Sequence, residues 1–370
     1  MKILFPVQIF YPSSSGGTAL SVYLLTKHLN KNGFEPIIIS TDQGLPPEIP
    51  RNKWLEMPAG RVIFIKADWV YFSLRQYLTI IKTMPEADAV HLSSIYFPPS
   101  ILSAIYSILL RKKLIVSPRN EFSNYSMNRS RFKKIPVIIL YKFFIKHFAR
   151  FHATSEKEAN EIRLQLGRKV SISTISNLVE IQSPIAKTKC DYMLFLGRID
   201  HLKGIELLLE ALGLSNAFKA SKTRLKIAGS GNEKYLSSLI RLRDSLGLKE
   251  KVEFVGHISG DEKRRLFANA SWTIVPSIDE NFNMVVLESL LEATPVIASK
   301  GVPWESLEKY KAGFWVERSA EKFAEIIDKA LRIQGQEYGE YCENAKRLAQ
   351  EFDIEKHFQK WLDFYNQAKG

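Results

Sequence analysis

Short apolar runs alternate along the chain with longer segments whose apolar residues recur every three or four positions. The runs Lys2–Gln8, Pro36–Ser40, Val62–Lys66, Ala89–Leu92, Lys113–Ser117, Phe151–Ala153 and Ser171–Ile175 predict strands. Gly17–Asn32, Tyr71–Thr83 and Ser100–Leu110 carry the helical period between them. The pattern lapses over Asn177–Lys189, where Pro, Ser and polar residues show no clean period, which predicts a linker. It resumes with strands at Met193–Leu196, Arg224–Ala228, Val252–Val255, Trp272–Val275 and Pro295–Ala298. Helices are expected there over Gly204–Leu214, Glu233–Leu246, Asp261–Ala268 and Asn283–Glu292. Strand–helix alternation with short apolar strands predicts an α/β fold with parallel sheets. The two halves read as doubly wound domains, residues 1–183 and 184–351, with a cleft between them. Ligands of such sheets sit at the carboxyl ends of strands, so both halves should offer loops to that cleft. Residues 352–370 carry the amphipathic FDIEKHFQKWLDFYNQ, expected to cross back to the first domain.

Composition narrows the class. The 370 residues are 45% hydrophobic and 25% charged, which excludes disordered, collagen-like and disulfide-rich chains. Cys190 and Cys342 lie far apart without a CxxC, so neither a zinc site nor a disulfide framework is expected, and a reducing compartment fits. No apolar run reaches the roughly 18 residues of a membrane span. The N-terminus reads as a first strand rather than a signal peptide. The formal charge is +13, and residues 111–150 alone hold eleven cations against one acid, Glu121, with seven Phe and Tyr among them. Nucleic acid is not expected, because no zinc finger, RNP motif or basic zipper accompanies the charge. Lys133 and Lys134 precede IPVIILYKFFIKHFARF (135–151), read as one long helix with Lys142, Lys146 and Arg150 in a stripe four residues apart. Such a helix suits an anionic membrane surface, or a buried position with one solvated edge.

Candidate chemistry clusters at strand ends. In SIDENFNMVVLESLLEATPVIAS (277–299), Glu280 and Glu288 bracket the start of a helix. Free N–H groups and the positive end of the helix dipole make an anion site there. An anion flanked by carboxylates that accept hydroxyls describes a sugar nucleotide. GRIDHLKG (197–204) puts Arg198 and Lys203 on one loop, where two cations could neutralise a leaving diphosphate without a metal. No DxD pair is present to hold one. Gly229 and Gly231 in IAGSGNE, and Gly16 and Gly17 in YPSSSGGTA, allow close backbone approach to a ligand. His91 ends a strand and is expected to face the cleft. Arg119 and Glu121 in SPRNEF are expected to contact an acceptor there or to pair with each other.

Taken together and in this order, these elements resemble the family-4 retaining glycosyltransferases of the GT-B fold. SPRNEFS and HATSEKEANEI (152–162) are similar to bacterial members that build surface polysaccharides, and ISNLVEI (175–181) stands where an interdomain IPNG-type segment stands in the family. The resemblance implies two Rossmann-like domains, a UDP- or GDP-linked sugar donor, no essential metal or cofactor, and retention at the anomeric carbon. It implies that Arg198 and Lys203 hold the diphosphate, Glu288 the ribose and Glu280 the donor sugar. The amides of Asn281, Phe282, Asn283 and Met284 would surround sugar and phosphate, Gly17 would approach phosphate, and His91 would touch the sugar. The acceptor implied is a glycan or polyprenyl-diphosphate-linked glycan, met in the cytoplasm at the inner face of the membrane. A same-fold sugar-nucleotide epimerase is the alternative, and after it a basic membrane- or nucleic-acid-binding module. The chain departs from the pattern at Asn283 and Asn120, where the family has Gly, and at Leu178.

Overall fold

The computed structural model describes residues 1–13, 17–67, 73–128, 131–188 and 191–367. The chain divides into two compact units: Met1–Glu180 with Ile354–Gly370, and Ile181–Asp353.

Unit 1 is built on eight strands: β1 (Lys2–Pro6), β2 (Glu35–Thr41), β3 (Trp54–Met57), β4 (Gly60–Ile65), β5 (Ala89–Leu92), β6 (Lys113–Val116), β7 (Ala149–Ala153) and β8 (Ile172–Thr174). Their order is β3-β4-β2-β1-β5-β6-β7-β8, all parallel except β3, which pairs antiparallel with β4. The central strands are buried along all or nearly all of their length because helices cover both faces, which is why they read as continuous apolar runs. The edge strand β3 is short and half-exposed and carries no apolar run; the Arg61 guanidinium stacks 4.2 Å over Trp54 to hold it.

Three sequence expectations need correction in this unit. The helix expected over 135–151 runs instead from Arg131 to Phe143, followed by a 3-10 turn (Ile145–His147) and then β7. Pairing of Leu114, Ile115 and Val116 with Ala149, Arg150 and Phe151 draws that stretch into the sheet and overrides its helical period. The cationic stripe is therefore broken. Lys146 donates to Leu166 O, and Arg150 stacks on Phe364 while donating to Phe364 O, Ser173 Oγ and Gln367 Oε1. The expected linker also begins inside unit 1: Asn177, Leu178 and Val179 are buried, and Val179 O accepts from Ile354 N.

His91 is the third correction. Rather than facing a ligand it is fully buried, part of a chain of hydrogen bonds under the helix Gln359–Gln367. His152 Nε2 lies 2.8 Å from Ile175 O, which only accepts, so Nε2 carries the proton and Nδ1 accepts from Ser117 Oγ at 2.8 Å. Ser117 Oγ then accepts from His91 Nε2 at 2.7 Å, and His91 Nδ1 accepts from the Tyr365 hydroxyl at 2.6 Å. One direction of donation satisfies every group with both histidines neutral. Trp361 packs on His152 at 4.5 Å between ring centroids and closes the chain from water.

Burial, the neighbouring His152 and the Arg119 charge hold His91 well below the ordinary histidine value; burial and Arg119 hold His152 at about 3. The unfolded chain takes up both protons near pH 6.5, so this stability is present above about pH 6.5 and is lost as pH falls below it. Glu121, pushed up to about 7 by burial, acts in the opposite sense: its contribution is lost as pH rises from its unfolded value towards 7. Two protons against one predict that stability contributed by these groups climbs between pH 4.5 and 6.5. Urea unfolding across that range checks it: His152→Gln should flatten the climb, and a wild-type stability that falls over the range would contradict it.

Unit 2 is an all-parallel sheet of β9 (Tyr192–Leu196), β10 (Arg224–Ala228), β11 (Val252–Gly256), β12 (Ala270–Val275), β13 (Val296–Ser299) and β14 (Gly313–Val316), in the order β11-β10-β9-β12-β13-β14. β14 lies outside the sequence-predicted strands. Strand order reverses at β9, so the crevice of the fold opens between the carboxyl ends of β9 and β12. In unit 1 the reversal falls at β1, between β2 and β5.

Candidate functional site

The loops that leave β9 and β12 meet at the unit 2 crevice. After β9, Asp200 accepts from Leu202 N and starts the 3-10 turn His201–Lys203, which ends on Gly204 at φ +68. Leu202 O accepts from Ile278 N at 2.8 Å, tying this loop to the one after β12. A Cβ on Gly204 would stand 2.3 Å from Pro276 O, so only glycine permits that approach. Arg198 is exposed and makes no hydrogen bond or ion pair among the described residues. Lys203 Nζ forms a hydrogen-bonded ion pair with Glu280 Oε1.

After β12 the chain passes Glu280, whose N–H donates to Gly301 O, and enters the helix Met284–Leu291 at Asn283. Asn283 sits at φ +70, and its side chain caps the helix by accepting from Val285 N at 3.1 Å. Asparagine tolerates a positive φ better than most other residues with a Cβ. Phe282 turns inward onto Trp304 and Phe352, and its carbonyl accepts from Trp304 Nε1. Its side chain is thus an anchor, buried away from any ligand. Among the described residues no acceptor meets the amides of Phe282, Asn283 and Met284. Glu288 lies in the helix's second turn and pairs with Lys263 at 2.6 Å. The crevice therefore presents one unpaired cation, three open amides at a helix start, and two carboxylates each held by a lysine. Its chemistry suits a phosphorylated ligand that also carries hydroxyls.

Gly229 and Gly231 make a close backbone approach within unit 2 itself. A Cβ at Gly229 would lie 1.8 Å from Gly197 O, and one at Gly231 2.0 Å from Ile199 O. The close approach is to the Arg198 loop, which Ile199 N–H seals by donating to Ser230 O at 2.8 Å. Lys263, Trp304 and Arg318, whose Nε donates to Pro276 O, were not foreseen. They lie in ordinary helical or loop sequence, with no spacing that marks them.

In unit 1, Gly17 opens the helix Gly17–Lys31 and is exposed, whereas Gly16 lies outside the described residues. Arg119 and Glu121 do not pair with each other. Glu121 points inward: its oxygens accept from Ser94 Oγ at 2.7 Å and from the amides of Ile95 and Tyr96, fixing the entry to the helix Pro98–Leu109. Glu121 is thus a loop anchor rather than an acceptor contact. Arg119 reaches Asn177 Oδ1 at 2.9 Å.

The family model for glycosyl transferases group 1 matches residues 179–352, and that for Glycosyltransferase Family 4 matches residues 15–183. The chain carries the two domains of a group 1 glycosyltransferase. An uncharacterized glycosyltransferase of Methanocaldococcus jannaschii is 34% identical over 159 residues, 42% of this chain and 39% of that protein. The D-inositol 3-phosphate glycosyltransferase of Mycobacterium bovis is 30% identical over 182 residues, 48% of this chain and 37% of that protein. The chain spans well under half the length of these curated relatives. The crystal structure of HepE from Anabaena, with UDP and glucose, superposes with a TM-score of 0.80 at 19% identity, covering 99% of this chain and 100% of that one. The two units are the Rossmann-like domains of the GT-B fold, and the group 1 domain contains the whole crevice described above.

Asn283 offers a test of the helix start. Asn283→Ala keeps the strained backbone and loses the cap, and should cost about 1–3 kcal/mol in denaturant unfolding. Asn283→Gly relieves the backbone and should cost only about a few tenths of a kcal/mol. Equal losses in the two variants would contradict the cap geometry.

Proposed function

We propose that the protein is a retaining glycosyltransferase that moves a sugar from a nucleoside-diphosphate donor to a glycan or lipid-linked glycan acceptor in bacterial surface-polysaccharide synthesis, without a metal. The observation that carries the reading is the crevice at the β9/β12 reversal, where Arg198 stands open on the loop after β9 and the amides of Phe282, Asn283 and Met284 stand open at the helix start after β12. In this reading the diphosphate lies on those amides and on Arg198. Lys203 turns from Glu280 to the phosphate as the bond to the sugar lengthens. Glu280 then accepts sugar hydroxyls, and Glu288, oriented by Lys263, accepts those of the ribose. The acceptor hydroxyl attacks from the face the diphosphate leaves, and the departing phosphate oxygen takes its proton. Charge developing on that oxygen is met by fixed donors, the usual source of the largest rate term.

The acceptor is expected at an anionic membrane. On the helix Arg131–Phe143, Phe132 (88% exposed), Ile135, Ile139 (51%) and Phe143 (70%) fall on one face, with exposed Lys133 and Lys142 beside them. Phe144 and Phe148, also exposed, pack with tilted rings 5.3 Å apart between centroids in the following turn. No acid occurs between Glu121 and Glu156. Among the described residues no helix is long and apolar enough to cross a membrane. Exposed apolar side chains among cations suit shallow insertion at anionic headgroups, with Lys134, donating to Ser126, holding the base of the helix.

Two experiments test this. In EDTA, one of UDP, GDP, ADP or CDP should raise the melting temperature, and Arg198→Ala should abolish that rise and lower turnover by about 10²–10³. A rise with none of them contradicts the donor site, and conversion of the sugar nucleotide without acceptor would make the protein an epimerase. Binding to vesicles containing anionic lipid should fall more than about tenfold in a Phe132→Ser/Phe143→Ser variant; unchanged binding would contradict the membrane face.

A further inference from the structure

Unit 1 holds a second open cation, and its surroundings indicate what it awaits. Arg119 follows β6, beside the end of β5 and next to the crevice where that sheet's order reverses. Its backbone is left-handed, φ +55, and so is that of Asn120, φ +71. Two consecutive residues in this region cost free energy that a plain turn would not require. Burial lowers the Arg119 pKa from its ordinary value, the mark of a desolvated charge.

Yet among the described residues the guanidinium has a single hydrogen bond, from Nη1 to the neutral Asn177, and its buried Nε has no partner. The nearest carboxylate, Glu158, spends one oxygen on Asn120 N–H and the other on the N–H and hydroxyl of Thr154. It lends charge through space but no ion pair. The groups on the other side, His91 and His152, are neutral and fully hydrogen-bonded. At the neighbouring strand end, Ser93 Oγ is also buried and unpartnered among the described residues. A desolvated guanidinium with an idle donor, and an idle hydroxyl after the adjacent strand β5, are costly to keep unless something fills them.

We propose that Arg119 and Ser93 form an oxyanion pocket on unit 1, so that the acceptor is an acidic molecule carrying a phosphate or a carboxylate near the attacking hydroxyl. The inference rests on the glycosyltransferase reading for the word acceptor; the pocket itself stands on unit 1 alone. The fork of Arg119 suits either oxyanion, with Nε and the free Nη2 as paired donors.

The test uses the full chain as Arg198→Ala, so that phosphate binding at the unit 2 crevice does not intrude. Inorganic phosphate, glucuronate, neutral methyl glucoside and sodium chloride at matched ionic strength are titrated while melting is followed. Phosphate, glucuronate or both should give a saturable rise, about 3 °C at ten times Kd, with none from the other two. The rise should vanish in Arg198→Ala/Arg119→Gln and persist, weakened, in Arg198→Ala/Arg119→Lys, which keeps the charge without the fork. A phosphate response alone marks a phosphorylated acceptor, and a glucuronate response alone a uronic one. Without ligand, Arg119→Gln should melt at or above wild type, since it relieves a desolvated charge; a purely structural arginine would lower it. An equal anion response in the Gln variant, or no response at about 50 mM, where millimolar affinity would be saturated, overturns the proposal. So does loss of the UDP response in Arg119→Gln with Arg198 intact, which would assign the guanidinium to the donor. Failure of wild type to respond to any nucleotide would instead count against the glycosyltransferase reading and leave the anion result standing.

Discussion

The crevice of unit 2 depends on backbone meeting backbone. The loop after β9 touches the loops after β10 and β12 at distances that leave no room for a Cβ, at Gly229 against Gly197 and at Gly204 against Pro276. Hydrogen bonds from Ile199 N to Ser230 O and from Ile278 N to Leu202 O lock the same contacts. Loops held this way have little freedom, so Arg198, Lys203 and Glu280 are positioned by the main chain rather than by packing of their own side chains. That suits a site whose task is to hold fixed donors towards charge that appears only during reaction.

Unit 1 solves a different problem with side chains. Its carboxyl edge is built from a one-directional chain through Tyr365, Ser117 and two neutral histidines, which fastens the last helix over β5–β7. Glu121 and Glu158 lie inside the same edge and cap loops with both their oxygens. Among the described residues Arg119 and Ser93 are exceptions in this region, and their idle polar atoms stand out for that reason. One unit thus offers a rigid backbone cradle, and the other an edge closed by side-chain hydrogen bonds except at these two residues.

Much of this was legible in the sequence, and the misses have physical causes. The central strands of both sheets were readable because burial on two faces leaves continuous apolar runs. β3 and β14 were not, being short edge strands with weak patterns. The segment 135–151 has a helical period, but sheet pairing claimed its last residues. Glu280, Glu288, Arg198 and Lys203 could be found because charged residues at strand ends interrupt apolar surroundings. The lysine partner of Glu288, Lys263, could not, because it lies on a different element. His91 illustrates the limit most clearly: a polar residue ending a strand looks the same in sequence whether it meets a ligand or a tyrosine 274 positions away. Asn283 and Asn120 appeared as departures from a glycine pattern, and both occupy positive φ, so the backbone requirement persisted while the residue changed.

Amide hydrogen exchange of the full chain with and without UDP tests the central claim most directly, that the β9/β12 crevice is the nucleotide site. The account predicts protection concentrated over 197–204 and 277–289, strongest at Phe282, Asn283 and Met284, with the opposite, amino edge of the sheet around 247–252 unchanged. Protection at that amino edge, or none at the three open amides when UDP is bound, would contradict it.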